Sequence, residues 1–429
     1  MTASPLKVAA APSTRIDRVF SPLGIEAWLV EDYTVPIISM DFAFVGGGAL
    51  DAPEKAGLSY LMSGLYDEGA GPYDAQGFQE RLDDLAIEMN FSSNRDRFEG
   101  SLRTLERNAD AAFEMLALAI NEPRFDADAV KRVKAQIVAG LKRAETDPDS
   151  MVWKAYSAAS FGDHPYGRPD KGTLKSVPHL TRADLKATHD RRFSRGTLKI
   201  AVVGAINARQ LGAALDRVFG ALPATVMHDV IADVVPGGLD RRVLADLDVP
   251  QSTLAMGRPG LKRKDPDFMA AYVVNHILGG GSFTSRLWTE VREKRGLAYS
   301  VWSQMSTARH TASFLCGTAT SNERVAESLA IISDECKRMA EAGPSAEELN
   351  KALKYLIGSY ALRFDTSRKI ASHLVEIQVE DLGIDYIATR NAKMAEVTLD
   401  DTRRAAERLI GDGRMLVAVA GRPEGITAS

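Results

Sequence analysis

A polar stretch with helical periodicity followed by an unbroken apolar run occurs twice along this chain. LTRADLKATHDRRFSRGTLKIAVVG (180–204) lies over VTLDDTRRAAERLIGDGRMLVAVAG (397–421) without a gap at an offset of 217, so that Thr181 meets Thr398, Asp184 meets Asp401, Gly196 meets Gly413 and Gly204 meets Gly421. In each copy a threonine is placed to cap an amphipathic helix, a glycine follows its last turn, and the apolar run predicts a buried strand. Upstream, PRFDADAVKRVKAQIVAGLKRA (123–144) answers GPSAEELNKALKYLIGSYALRF (343–364), both capped helices. VPIISMDFAFVGGGALDAPEKAG, from residue 35, answers VPQSTLAMGRPGLKRKDPDF, from residue 249, each a strand, a glycine-bearing turn and an acidic connector. A repeat of this length predicts an α+β chain of two homologous halves, each an antiparallel sheet packed by helices. The expected division is 1–222, a linker at 223–240 that overlaps ALPATVMHDVIADVVPGG (221–238), and 241–429.

Bulk properties narrow the partners. A chain of 429 residues exceeds what one core holds, and 45% hydrophobic with 26% charged residues is ordinary globular composition. The net charge of −4, with both signs well mixed, gives no footprint for nucleic acid or an anionic membrane. Cys316 and Cys336 form no CxxC pair and read as small buried hydrophobes. The first residues lack the apolar core of a secretory signal and no run reaches the ~18 apolar residues of a membrane span. A cytoplasmic location is expected of the chain as given, or a periplasmic one if a signal has been removed.

The segments that carry chemistry are AGLSYLMSGLYDEGAG (56–71), FGDHPYGRP (161–169) and LGGGSFTSRLWTEVREKRGLAYSVWS (278–303). In the last, Gly279, Gly280 and Gly281 allow close backbone approach, which suits either a mobile substrate loop or a turn entering a helix; no GK[ST] follows to make it a phosphate cradle. Gly296 ends a helix between Arg292 and Tyr299, leaving the arginine in its last turn and the tyrosine at the start of a strand. By residue type alone Arg292 is a solvated helix position and Tyr299 a core residue with a wet tip. Pro165 and Gly167 mark a loop in which His164 is a structural residue, and Asp67 with Glu68 falls in the turn after the first helix.

Those segments resemble the pitrilysin/insulinase family of inverted zinc peptidases over nearly the whole chain. Active members carry H-x-x-E-H on a helix of the first half and a further glutamate on a later helix; positions i and i+4 share one helix face, so two imidazoles grip one zinc. Aligned on GLSYLMSGL, the family's two histidines and glutamate fall at Tyr60, Gly64 and Ser63, and the later glutamate falls at Gly140. The seven histidines, His164, His179, His189, His228, His276, His310 and His373, are scattered, so no cofactor is expected in this chain. What the resemblance keeps is the second-half pair, Arg292 and Tyr299, which in the family reaches toward the scissile carbonyl, and a glycine-rich loop used in substrate handling. It implies a noncatalytic partner subunit of a heterodimeric zinc endopeptidase. That subunit binds extended peptides and donates the pair in trans to a homologous H-x-x-E-H subunit that holds the zinc. The alternative is a scaffold or peptide-binding protein of the same fold. An independent hydrolase is disfavoured because neither a G-x-S-x-G elbow nor a reactive cysteine setting is present.

Overall fold

The computed structural model describes residues 15–227 and 229–429, so His228 and the first 14 residues lie outside the described part. The first sheet contains β1 (Asp17–Phe20), β2 (Glu26–Glu31), β3 (Ile37–Val45), β4 (Glu88–Ser93), β5 (Arg97–Leu105) and β6 (Leu198–Gly204) in the order β1-β2-β6-β3-β5-β4. The second contains β7 (Arg242–Ala245), β8 (Gln251–Pro259), β9 (Ala298–Ala308), β10 (Thr311–Ser321) and β11 (Leu416–Ala420) in the order β7-β11-β8-β10-β9. Apart from β1, the two orders superimpose strand for strand. Both sheets are mainly antiparallel, as expected, with one parallel pair in each: β2 runs parallel to β6, and β7 parallel to β11. The reason lies in the repeat itself, since the strand that closes each half returns through a helix and meets the half's early strand in the same direction.

Local chemistry repeats with equal fidelity. Thr181 and Thr398 each close a capping box, with Asp184 and Asp401 returning the bond to the cap's own amide. Gly204 and Gly421 adopt φ of +138° and +139° where each closing strand ends, and a Cβ on either would collide with the neighbouring strand, at Ile37 and Ser252 respectively.

Four helices position the site: α1 (Leu58–Ser63), α2 (Ala127–Ala144), α3 (Pro148–Phe161) and α4 (Ser367–Val379). The halves exchange two of them. Helix α3, from the first half, lays Val152 and Tyr156 on Ala255, Leu416 and Ala418 of the second sheet. Helix α4, from the second half, lays Ala371, Leu374 and Val375 on Trp28, Val30, Ala201 and Val203 of the first, and Gln378 donates a 2.9 Å bond to the Ile200 carbonyl. Gly257 makes room for Tyr156, whose hydroxyl would lie 2.1 Å from any Cβ there. The opposite face of each sheet carries that half's own large core. Cys316 and Cys336 are both buried in the second core as free thiols, with sulfurs 4.0 Å apart in a weak hydrogen bond. None of the helices in the described part is long and apolar enough to cross a membrane.

Candidate functional site

Helix α1 is short, entered by Gly57 in the left-handed region (φ +90°) and closed by Gly64. A buried network fixes its first turn. Asp51 accepts from the Ser59 amide (3.0 Å) and hydroxyl (2.6 Å), while Arg192 reaches both Ser59 and Asp51, the latter at 3.1 Å. On this rigid base Tyr60 packs its ring under the Lys171 ammonium at 5.6 Å, and the buried Ser63 spends its hydroxyl on the Tyr60 carbonyl at 2.9 Å. Gly64 faces α2, where a Cβ would stand 3.2 Å from Val133, and Gly140 further along α2 opens onto empty space. A phenol, an occupied hydroxyl and two glycines do not make a zinc donor set.

The histidines are spread through the fold. His189 is a core residue bonded to the Tyr66 hydroxyl at 2.7 Å, and burial holds its pKa down. His276 stacks on Tyr355, His373 meets the Tyr360 hydroxyl at 3.1 Å, and His164 and His310 flank Tyr166. Among the described residues no three His, Cys, Asp or Glu side chains gather as a metal would require. The DHPYGRP segment forms a clasp. The Tyr166 hydroxyl donates to Asp96 and accepts from the His310 amide at 3.2 Å, and Asp96 accepts from the Arg309 amide at 2.9 Å, which ties the β9–β10 turn to the first half. Glu68 is taken up by Arg132, with one contact at 2.8 Å, and burial raises the pKa of Asp67.

A cavity of about 740 Å³ opens beside the α1 face, lined by Leu141 and Glu145 at the end of α2, by Trp153 of α3 and by the loop around Lys171. Trp153 stacks on Trp302 of β9, with centroids 6.0 Å apart and planes at 28°. Tyr299 lies three residues back along the same strand, about 10 Å at ~3.3 Å per residue.

Arg292 ends a wide-turned helical segment, Trp288–Glu293, and Gly296 (φ +59°) turns the chain into β9, whose second residue is Tyr299. The guanidinium is clamped between two rings, 4.2 Å from the Trp288 centroid and 4.3 Å from that of Tyr299, and it donates to the Tyr299 carbonyl at 2.6 Å. Lys294 and Arg295 both pair with Glu290, so Arg292 is left without a carboxylate partner among the described residues. Tyr299 is 81% exposed, and Phe283, 69% exposed, meets Trp288 edge-on at 4.5 Å. Sequence reasoning passed over Trp288 and Phe283. Trp288 had a signal, four residues before Arg292 and hence on the same helix face, whereas nothing local pointed to Phe283.

The three glycines do not form a loop. They continue the helix Phe268–Asn275 through wide turns at His276–Gly280, with Gly281 as its cap. A Cβ on Gly279 would stand 2.4 Å from the Ser303 nitrogen of β9, so this glycine permits close packing. Gly280 would meet Asn275 and Gly281 would meet His276 within their own helical turns.

Two family models match. Residues 35–173 fit the insulinase family, peptidase family M16, and residues 179–356 fit the peptidase M16 inactive domain. A Helicobacter pylori protein described as the non-peptidase homolog YmxG is 29% identical over 365 residues, covering 84% of this chain and 82% of its own. An uncharacterized zinc protease of Streptomyces coelicolor is 27% identical over 380 residues, covering 85% and 81%. Among solved structures, a peptidase M16 inactive domain from Pseudomonas fluorescens superimposes with a TM-score of 0.89 at 26% identity, covering 97% of this chain and 99% of that one.

Proposed function

The chain belongs to peptidase family M16, and from that premise we propose that it is the noncatalytic partner subunit of a heterodimeric zinc metalloendopeptidase that acts on extended peptides. In this reading a homologous subunit carrying H-x-x-E-H holds the zinc, and this chain donates Arg292 and Tyr299 in trans. The observation that carries it is the state of Arg292. An arginine on a solvated helix face would share the neighbouring Glu290, yet here two other cations take that carboxylate. The guanidinium is instead held between Trp288 and Tyr299 with its orientation set in advance. A donor fixed before the reaction stabilises charge that develops on a carbonyl oxygen without reorganising, which is worth about 10²- to 10³-fold in turnover per donor. The exposed rings of Phe283 and Tyr299 are of the type that anchors protein interfaces.

The test mixes the chain with a homologous H-x-x-E-H subunit and follows cleavage of a quenched extended peptide. Arg292→Ala is expected to lower turnover about 10²-fold, and Tyr299→Phe to lower it measurably, with zinc content of the complex unchanged. Full turnover by both variants would refute donation in trans. It would favour the second reading, a non-enzymatic scaffold or peptide-binding protein of this fold, which the description of the Helicobacter relative as a non-peptidase homolog supports.

A further inference from the structure

A second large cavity, about 830 Å³, lies at the far end of β9, walled by Gln304, Met305 and Thr307 of that strand, by α4 and by the helix Tyr386–Ala395. Its lining is strongly basic. Arg368 and Lys369 are paired with Glu88 and Asp365, and the one lining carboxylate, Glu376, is bonded by Arg97 at 3.3 Å. Three further guanidinia, Arg263, Arg363 and Arg390, have no carboxylate within ion-pair reach among the described residues, although carboxylates elsewhere on this surface are taken up by arginines and lysines.

Two of the three are oriented by aromatic rings. Arg390, only 6% exposed, lies 4.4 Å over the Tyr360 ring, and its Nη1 donates to the Leu356 carbonyl at 2.8 Å and to Asn391 at 2.9 Å. Arg263 lies 4.4 Å over Phe268 and 5.2 Å over Tyr386, and donates to the Tyr386 hydroxyl. Arg363 is exposed at the mouth. Like charges gathered in one partly desolvated space repel each other, and an entering anion relieves that repulsion. Planar guanidinia with free N–H edges match a carboxylate in geometry.

We infer that this cavity receives the carboxylates of an acidic peptide segment. The choice of a peptide rests on the reading of peptide binding above and on the placement of β9. That strand is the free edge of its sheet, begins at Tyr299 and reaches the cavity at Gln304, Met305 and Thr307. A peptide laid along the edge as an added strand covers the six residue steps from Tyr299 to Met305 in about 20 Å, at ~3.3 Å per residue. An acidic side chain or terminal carboxylate at that distance from the segment held at Tyr299 enters the basic cavity.

The test is fluorescence anisotropy on the full chain with an N-terminally labelled decapeptide of serine, threonine and valine ending in Asp-Glu-Asp, beside the same peptide ending in Asn-Gln-Asn amide. The acidic peptide is expected to bind about tenfold or more tightly than the neutral one. That preference should shrink as salt is raised and should be lost in the Arg263→Gln, Arg363→Gln double variant, whose fold is checked by circular dichroism. Equal binding of the two peptides, or a preference that survives in the double variant, overturns this inference and leaves peptide docking intact. Failure of both peptides to bind overturns the docking reading as well. Sodium tripolyphosphate is the third probe, and its binding while the acidic peptide stays free would assign the cavity to a phosphate ligand and overturn the peptide assignment.

Discussion

Leu374 is 0% exposed on a helix that belongs in sequence to one half and in packing to the other, which makes Leu374→Ala a direct probe of how the halves depend on each other. Truncating a fully buried leucine costs about 2–5 kcal/mol, the spread depending on how far the site collapses. Around Leu374 the strands β2 and β6 of the first sheet carry Trp28, Val30, Ala201 and Val203, so the cavity opens against a sheet with little freedom to close it. At about 2.1 cal/mol/K per residue, a single cooperative unit of 429 residues has an unfolding entropy near 0.9 kcal/mol/K, and the loss appears as one transition lowered by about 2–6 °C. Two independent halves would behave differently: the damaged one would drop by roughly twice as much and the other would stay where it was. Differential scanning calorimetry separates the cases. Hydrogen exchange adds the location, since amides of β2, β6 and the second sheet should lose protection together. A transition that splits in two, or full protection of β6 beside an exchanging α4, would refute the claim that the exchanged helices weld the halves.

Three further outcomes are expected. Arg192→Ala should cost about 3–5 kcal/mol in urea unfolding, because it strands the buried Asp51 that caps α1. Gly279→Ala should cost about 1–3 kcal/mol by forcing a Cβ against Ser303, whereas a freely moving glycine loop would tolerate the change; urea midpoints decide. Burial raises the Asp41 carboxyl to about 6, and burial with Arg363 nearby lowers His373 to about 4. Folded Asp41 keeps a proton that the unfolded chain releases above about 3.8, so its contribution to stability falls as pH rises toward 6. Folded His373 lacks a proton that the unfolded chain takes up below about 6.5, so its contribution rises with pH from about 4 to 6.5. The two slopes oppose each other in the wild type. Asp41→Asn should leave urea midpoints that climb with pH across this window, and His373→Gln midpoints that decline.

Much of the fold was legible because it is written in local signals. Capping boxes at Thr181 and Thr398, the glycines at 204 and 421, and the apolar runs that became β6 and β11 each act within a few residues, so the duplication shows in the sequence as it does in space. That Gly64 and Gly140 offer no side-chain donor atom is also plain from residue type, since a glycine has no side chain in any conformation. Tertiary structure alone decided the rest. An amphipathic pattern tells α3 and α4 to cover a sheet and is silent on which one, and only the closed chain shows that each covers the other half's. The LGGGS run is compatible with a loop until β9 packs against Gly279, and Arg292 looks like a solvated helix residue until Trp288 and Tyr299 close on it. Arg263, Arg363 and Arg390 are up to 127 residues apart by their numbering, and they form one basic cavity because electrostatic fields add by distance in space, to which linear sequence gives no access.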